Sequence, residues 1–389
     1  LVSGLAFQGL GWVIVLAQAV SPRPGLALAW VHAVALGWIT LTALAVMQHV
    51  LPAMAEREWR FAAVARASLV LIGASALLLV AGFLTGGVLL VAGGVSAAAG
   101  IAAYVSVALL SLTAPAPDAA ARTIGRALAA TLGALLLTAL LGSALAFGYM
   151  RGDAALLALA PVHAIAGIVL WLTVLTTGVS ARTLVPMLGA RTRLGLLHVV
   201  AGSALFAGGA VAAAGFSFAP VRNTGLAIVA AGVISYAIDI LDRLRRASTP
   251  VLHARVAVGA ALAWLLLACA ASFAASAPAF ARVAVVAALA GWIGSMVLAH
   301  LLHIGVRVLA TAVLGEDDET RPWELLSTPL ALGLVVLYEA AAVALVIGAW
   351  SFESRPFAVA GVTGLAALFL VGANGAVALR RARSLARSS

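Results

Sequence analysis

Val31-His32-Ala33-Val34-Ala35-Leu36-Gly37-Trp38-Ile39-Thr40, running on through His49 to Leu51-Pro52-Ala53-Met54, is the first of three long apolar stretches with one layout. The second carries Trp171-Leu172-Thr173 and runs to Arg182 and Met187; the third carries Gly291-Trp292-Ile293 and runs to His303. Set on their tryptophans, the first two share Thr40/Thr173, Val46/Val179, Leu51/Leu184 and Met54/Met187. The first and third share Gly37/Gly291, Leu44/Leu298, Ala45/Ala299 and His49/His303. The tryptophans lie 133 and 121 residues apart, room for about four membrane helices per interval. The pattern predicts three four-helix units, roughly 61–190, 191–312, and 313–380 together with 1–60, within one transmembrane domain spanning 1–389.

Composition places the chain in a bilayer. With 64% apolar residues, 9% charged residues and a mean hydropathy of +1.16, a water-soluble fold of 389 residues could not hide its apolar surface. Only segments that satisfy their own backbone hydrogen bonds can cross the hydrocarbon. Stretches of sufficient length occur at roughly 4–20, 26–54, 61–83, 86–113, 123–150, 155–181, 195–217, 221–245, 253–277, 280–312, 326–350 and 356–380. The expected architecture is therefore an all-α polytopic membrane protein of about 12 helices.

Orientation follows from the basic residues, all 23 of which are arginine. With both termini in the cytoplasm, 18 arginines fall inside, among them Arg57, Arg122, Arg182, Arg193, Arg246, Arg307 and the tail Arg380, Arg381, Arg383 and Arg387. Only Arg23, Arg151, Arg222, Arg282 and Arg355 fall outside. That bias predicts a multi-pass protein of the cell's inner (cytoplasmic) membrane. The net charge of +10 is mostly this signal. Arginines scattered over short loops suit lipid phosphates and do not form the single basic surface a nucleic acid requires, so no nucleic-acid partner is expected.

Lesser features add little. Cys269 stands alone, which rules out an intrachain disulfide. The first apolar segment lacks a basic n-region and an evident cleavage site, so it reads as a retained span. Gly315-Glu316-Asp317-Asp318-Glu319-Thr320-Arg321 reads as a solvated cytoplasmic connector, with a docking site for a soluble partner as the other reading.

The histidines are the residues that could carry chemistry. Seven imidazoles in so apolar a chain matter because one facing lipid is costly, whereas one facing the interior can ligate metal. By the arginine topology, His32 and His163, each in Val-His-Ala, lie near the outer surface; His49, His198, His253, His300 and His303 lie in the inner half or at the inner surface. His300 and His303, three apart, share a helix face. Trp38 and His49, eleven residues apart, share a stripe that Trp292 and His303 repeat. The seventeen residues between His32 and His49 span about 25 Å, too far for one metal, so two sites at different depths are expected. The alternative is that each imidazole hydrogen-bonds a neighbouring helix or caps a helix end.

Other polar groups are sparse. Glu339, beside Tyr338, is the one carboxylate expected deep in the hydrocarbon, where it should be protonated, paired or part of a proton path. Asp239 is expected to pair with Arg243 at i+4, a structural role. Pro52 and Pro186 free carbonyls near the ends of their helices.

Twelve helices with both ends inside, three four-helix units and histidines on helices two, six and ten resemble the architecture of haem-copper oxidase subunit I. Val31-His32-Ala33 through Leu51-Pro52-Ala53-Met54, and His163-Ala164 through Leu184-Val185-Pro186-Met187, resemble its small single-chain relatives, including the NnrS family. The resemblance implies haem b, with copper as a second metal, and makes His32 the counterpart of a low-spin haem ligand and His163 that of a copper-ligand position. The residues add His300 and His303 as further cofactor ligands, His49 and His198 as metal ligands, and Glu339 as a proton-path residue. Three functions follow as expectations. The first is a redox-active membrane protein in electron transfer or nitric oxide or oxygen chemistry, served by a separate electron-transfer subunit or quinol. The second is a cofactor-free anchor subunit of a respiratory complex, and the third a metal-ion transporter built on repeats.

Overall fold

A computed structural model describes residues 2–55, 58–115, 119–191, 193–249, 251–315 and 320–388. Arg57 and the acidic run Glu316 to Glu319 lie outside the described residues. Regular structure among the described residues is entirely helical. Twelve helices are long and apolar enough to cross a membrane: α1 Val2–Val20, α2 Gly25–His49, α3 Ala62–Thr85, α4 Val88–Leu112, α5 Ile124–Arg151, α6 Ala154–Leu188, α7 Gly195–Ala214, α8 Ala219–Arg245, α9 Leu252–Phe273, α10 Pro278–Leu314, α11 Thr328–Ser351 and α12 Ser354–Arg387. The twelve expected segments are all present.

Two run further than hydropathy suggests. α6 continues past 181 because Arg182 and Thr183 interrupt the apolar run without breaking the helix, and Pro186 is accommodated inside its last turns. α12 continues past 380 through Arg381, Arg383 and Arg387, where arginine, alanine and leucine are all good helix formers. Between α5 and α6, the Asp153 carboxylate accepts from the backbone N–H of Ala155 at 2.9 Å and of Leu156 at 3.3 Å, capping the turn that opens α6.

The three tryptophan stretches are not plain α-helix. Each contains a π-helical segment: Ala33–Thr40 in α2, Ala166–Thr173 in α6 and Ala287–Ile293 in α10. Trp38, Trp171 and Trp292 each stand sixth from the start of the segment, and all three are buried. π turns, closed by i→i+5 bonds, are rare and concentrate at functional sites. A fourth, Leu301–Gly305, follows in α10. The glycine before the tryptophan makes room for an aromatic ring in two copies. A Cβ on Gly37 would stand 2.4 Å from Phe7 Cδ1, and one on Gly291 would stand 2.4 Å from Trp264 Cγ.

The chain divides into two compact units. One comprises 1–11, 23–178 and 201–232; the other comprises 12–22, 179–200 and 233–389. In the first, α3, α4 and α5 pack through small residues that bring backbones close, the usual means of association where no hydrophobic effect separates helix from lipid. Leu79, Leu90, Ala97 and Ala146 form a core on which Leu36 and Phe83 pack, and Ser143 Oγ donates to the Gly94 carbonyl at 2.7 Å. Trp171 Nε1 donates to Thr40 Oγ1 at 3.1 Å, so the tryptophan of one π segment bonds the conserved-layout threonine of another. In the second unit, the buried Tyr338 hydroxyl donates at 2.7 Å to the carbonyl of Ala290, inside the third π segment. Ser327 and Asn374 exchange backbone and side-chain bonds, and Arg381 Nη1 donates to the Glu324 carbonyl at 3.1 Å. These contacts hold the short 322–325 helix to α12.

The arginine distribution gives an expected outcome for topology. Reporters fused after Arg193 or at the C terminus are active only in a cytoplasmic form, and one inserted near Asp153 only in an external form. The reverse pattern would overturn the depth assigned to every histidine.

Candidate functional site

His32 and His163 come together in the first unit. α2 delivers His32 at the turn before its π segment, and α6 delivers His163 three residues before its own. Their ring centroids are 6.3 Å apart and their planes differ by 14°. His32 Nδ1 lies 2.8 Å from the Leu28 carbonyl, and His163 Nδ1 lies 2.9 Å from the Thr138 carbonyl on α5. A carbonyl only accepts, so each Nδ1 carries the proton; in the neutral ring each Nε2 then presents a lone pair. Backbone anchoring of one imidazole nitrogen is the arrangement that fixes tautomer and orientation in metal-ligating histidines. Two further residues shape the pair. The Phe83 ring lies 4.7 Å from that of His32, and a Cβ on Gly142 would stand 3.0 Å from His163 Cε1. Neither residue is marked in the sequence by any pattern that would connect it with a histidine.

The inner histidines behave differently. Both ring nitrogens of His300 are engaged: Nδ1 donates to the Met296 carbonyl at 2.6 Å, and Nε2 lies 2.6 Å from Thr183 Oγ1. The π turn at Leu301–Gly305 begins directly after His300 and includes His303. His303 faces Trp323, with ring centroids 6.5 Å apart. His49 is exposed, whereas Trp38 on its expected stripe is buried. His253 is buried near the start of α9.

His198 belongs to a charged cluster. Its Nδ1 lies 3.0 Å from Asp239 Oδ2, and Arg243 Nη2 lies 3.0 Å from the same oxygen. Asp239 and Arg243 are completely buried. Arg243 Nη1 also donates to the Ala181 carbonyl at 3.2 Å, while the Tyr236 hydroxyl donates to Ser180 Oγ at 2.9 Å. The i+4 ion pair expected from the sequence is present. His198 and Tyr236 join it from positions that sequence spacing does not connect.

Glu339 is paired by neutral donors. Trp264 Nε1 on α9 donates to Oε2 at 2.7 Å, and Ser295 Oγ on α10 donates to Oε1 at 2.6 Å. The carboxylate therefore braces three helices, and Gly291 is what lets the Trp264 indole reach it.

Among the described residues, no group of three or more His, Cys, Asp or Glu side chains is placed to hold a metal ion. A bare copper ion with three protein ligands thus has no donor set here. Haem iron, with four ring nitrogens of its own, needs only one or two protein ligands. His32 and His163, with ring centroids 6.3 Å apart and each anchored through Nδ1, supply that number of imidazoles in one place. No protein-family model matches the chain, and none of the curated proteins matches it.

Proposed function

We propose that this membrane protein binds haem, that His32 and His163 would hold it through their imidazoles, and that it acts in electron transfer or in the chemistry of a small gas such as nitric oxide or oxygen. One observation carries the proposal. Two imidazoles, brought together from α2 and α6, stand with ring centroids 6.3 Å apart, each held through Nδ1 by a backbone carbonyl so that its Nε2 could ligate a metal. The recurrence of a buried tryptophan at the sixth residue of three π segments supports the threefold four-helix repeat and the haem-copper oxidase-like architecture that go with this reading.

When bound, haem supplies a one-electron couple. The protein's part is to hold both imidazoles neutral and oriented, and to surround them with apolar side chains such as Phe83. The inner membrane, with both termini cytoplasmic, is the location the arginines support, and a quinol or a separate subunit is the electron partner. Copper has no comparable donor set among the described residues. Glu339 keeps a place as a proton-path residue, with the Ser295 hydroxyl as its first neighbour.

The optical spectrum tests the proposal. Protein purified after expression with haem supplied is expected to show a Soret band, sharp bands on reduction typical of two nitrogen ligands, and about one iron per chain by elemental analysis. A colourless protein with neither iron nor copper would return the scaffold to a cofactor-free anchor subunit. Colourless protein that moves metal ions in vesicles would make it a transporter.

A further inference from the structure

Glu339 is the twelfth of the 24 residues of α11, so it sits about 18 Å from either end of the helix. Water is distant on both sides. Its place is the edge of the bundle and not its centre. Val336 and Val343, three residues before and four after, share its face of α11 and are 54% and 47% exposed. Glu339 itself is half-buried, as is Trp264 on α9, and Leu267 one turn beyond Trp264 is exposed. Exposed apolar side chains in the middle of a membrane helix meet hydrocarbon. The other donor to the carboxyl, Ser295 on α10, is completely buried. Because α9 and α11 pack on each other and on α10, the carboxyl reaches from the bundle interior to the lipid-facing seam between α9 and α11.

The bonding of this carboxyl suits a proton that comes and goes. Among the described residues both of its hydrogen-bond partners are neutral, and no cation pairs with it. A carboxylate there has no counter-charge, which is what makes an ionised side chain costly inside a bilayer. Taking up a proton removes that cost. The two oxygens are not equivalent. The Trp264 indole N–H only donates, so Oε2, at 2.7 Å, stays an acceptor in either state. The Ser295 hydroxyl can donate to a carboxylate or accept from a carboxylic acid, so Oε1, at 2.6 Å, can carry the proton and keep its bond.

We propose that Glu339 is a proton-binding carboxyl open to the lipid face between α9 and α11, carrying its proton on Oε1 and reached by lipid-soluble molecules that exchange a proton or react with a carboxylic acid. This deepens the proton-path reading of Glu339 and rests on it. It does not depend on the haem reading.

A lipid-soluble carbodiimide tests the opening. A carboxylic acid adds across one C=N bond of such a reagent: its oxygen bonds the central carbon and its proton moves to nitrogen. The acyl group then migrates to nitrogen, leaving a stable adduct with nothing expelled. Protein in lipid vesicles is treated with dicyclohexylcarbodiimide, which partitions into hydrocarbon, or with a water-soluble carbodiimide, and the label is located by peptide mass spectrometry. Glu339 is expected to take the lipid-soluble label and not the water-soluble one. The infrared spectrum is expected to show a carboxylic acid carbonyl band that Glu339→Gln removes. Labelling is read on the unaltered protein, so it decides the matter even if Glu339→Gln cannot be purified. The infrared band without lipid-soluble label, or equal labelling by both reagents, overturns the lipid-facing opening and leaves the proton-path reading standing. Neither band nor label overturns both.

Discussion

On the proposed haem reading, His32→Ala and His163→Ala are each expected to abolish the haem absorption spectrum, and Gly142→Val to weaken it without removing a ligand. The alanine variants act directly, since each deletes one of the two Nε2 donors. A haem held by one remaining imidazole would show broadened and shifted reduced-state bands. Gly142→Val tests orientation instead. A Cβ at Gly142 already lies 3.0 Å from His163 Cε1, so the two additional methyl groups of valine push the ring off its bond to Thr138. Disturbing an outer-shell support of this kind typically costs about 10- to 100-fold in affinity. The spectrum should persist only at high added haem. His300→Ala serves as the control, because its nitrogens are committed to Met296 and Thr183, and its spectrum should match that of the unaltered protein. Wild-type bands in both His32→Ala and His163→Ala would sink the axial-pair reading, provided size-exclusion profiles show the variants folded.

The helices were legible because hydropathy alone decides them. Twelve apolar runs became twelve helices, with the largest boundary errors where arginine or proline sits inside a helix that continues, as at Arg182 and Pro186, and smaller ones where a helix stops early, as at Phe273 and Ala214. The π segments were not legible. An extra residue in a turn leaves no mark in a uniformly apolar run, and Ala33–Thr40 differs in composition from its α-helical flanks in nothing that hydropathy can register. The spacing of His300 and His303 was read with α geometry, and the π segment Leu301–Gly305 includes the second of them.

Pairs set by local spacing fared better than pairs set by tertiary contact. Asp239 and Arg243 are one turn apart and could be matched from the sequence. His198, on another helix, could not, and neither could the bond from Trp264 to Glu339 across 75 residues. His32 and His163 could be placed at one depth by topology. Only the fold shows that their rings stand 6.3 Å apart with planes 14° from parallel, and that the carbonyls of Leu28 and Thr138 orient them.

Asp239→Leu is expected to be among the most destabilising single substitutions in the chain, and pairing it with Arg243→Met to recover most of the loss. Both side chains are completely buried, and Arg243 Nη2 lies 3.0 Å from Asp239 Oδ2. Removing the carboxylate alone leaves a guanidinium without its counter-charge in a low-dielectric surround. Breaking such a pair by deleting one partner costs about 3–5 kcal/mol, whereas replacing both by apolar residues of similar volume is often neutral. Arg243 cannot escape by losing its proton, and the carbonyls of Ser180 and Ala181 only partly compensate its charge. His198 adds a second consequence. It loses the acceptor for Nδ1 in both variants, so the double variant should recover less than the full amount. Thermal unfolding in detergent reads the effect as a drop of several degrees in the midpoint for Asp239→Leu, smaller for the double variant, with the His32 and His163 spectrum unchanged in whatever fraction remains folded. If the single variant is as stable as the unaltered protein, the buried ion pair within α8 contributes little to stability. If the double variant is no better than the single, the carboxylate's essential partner is His198 and not Arg243.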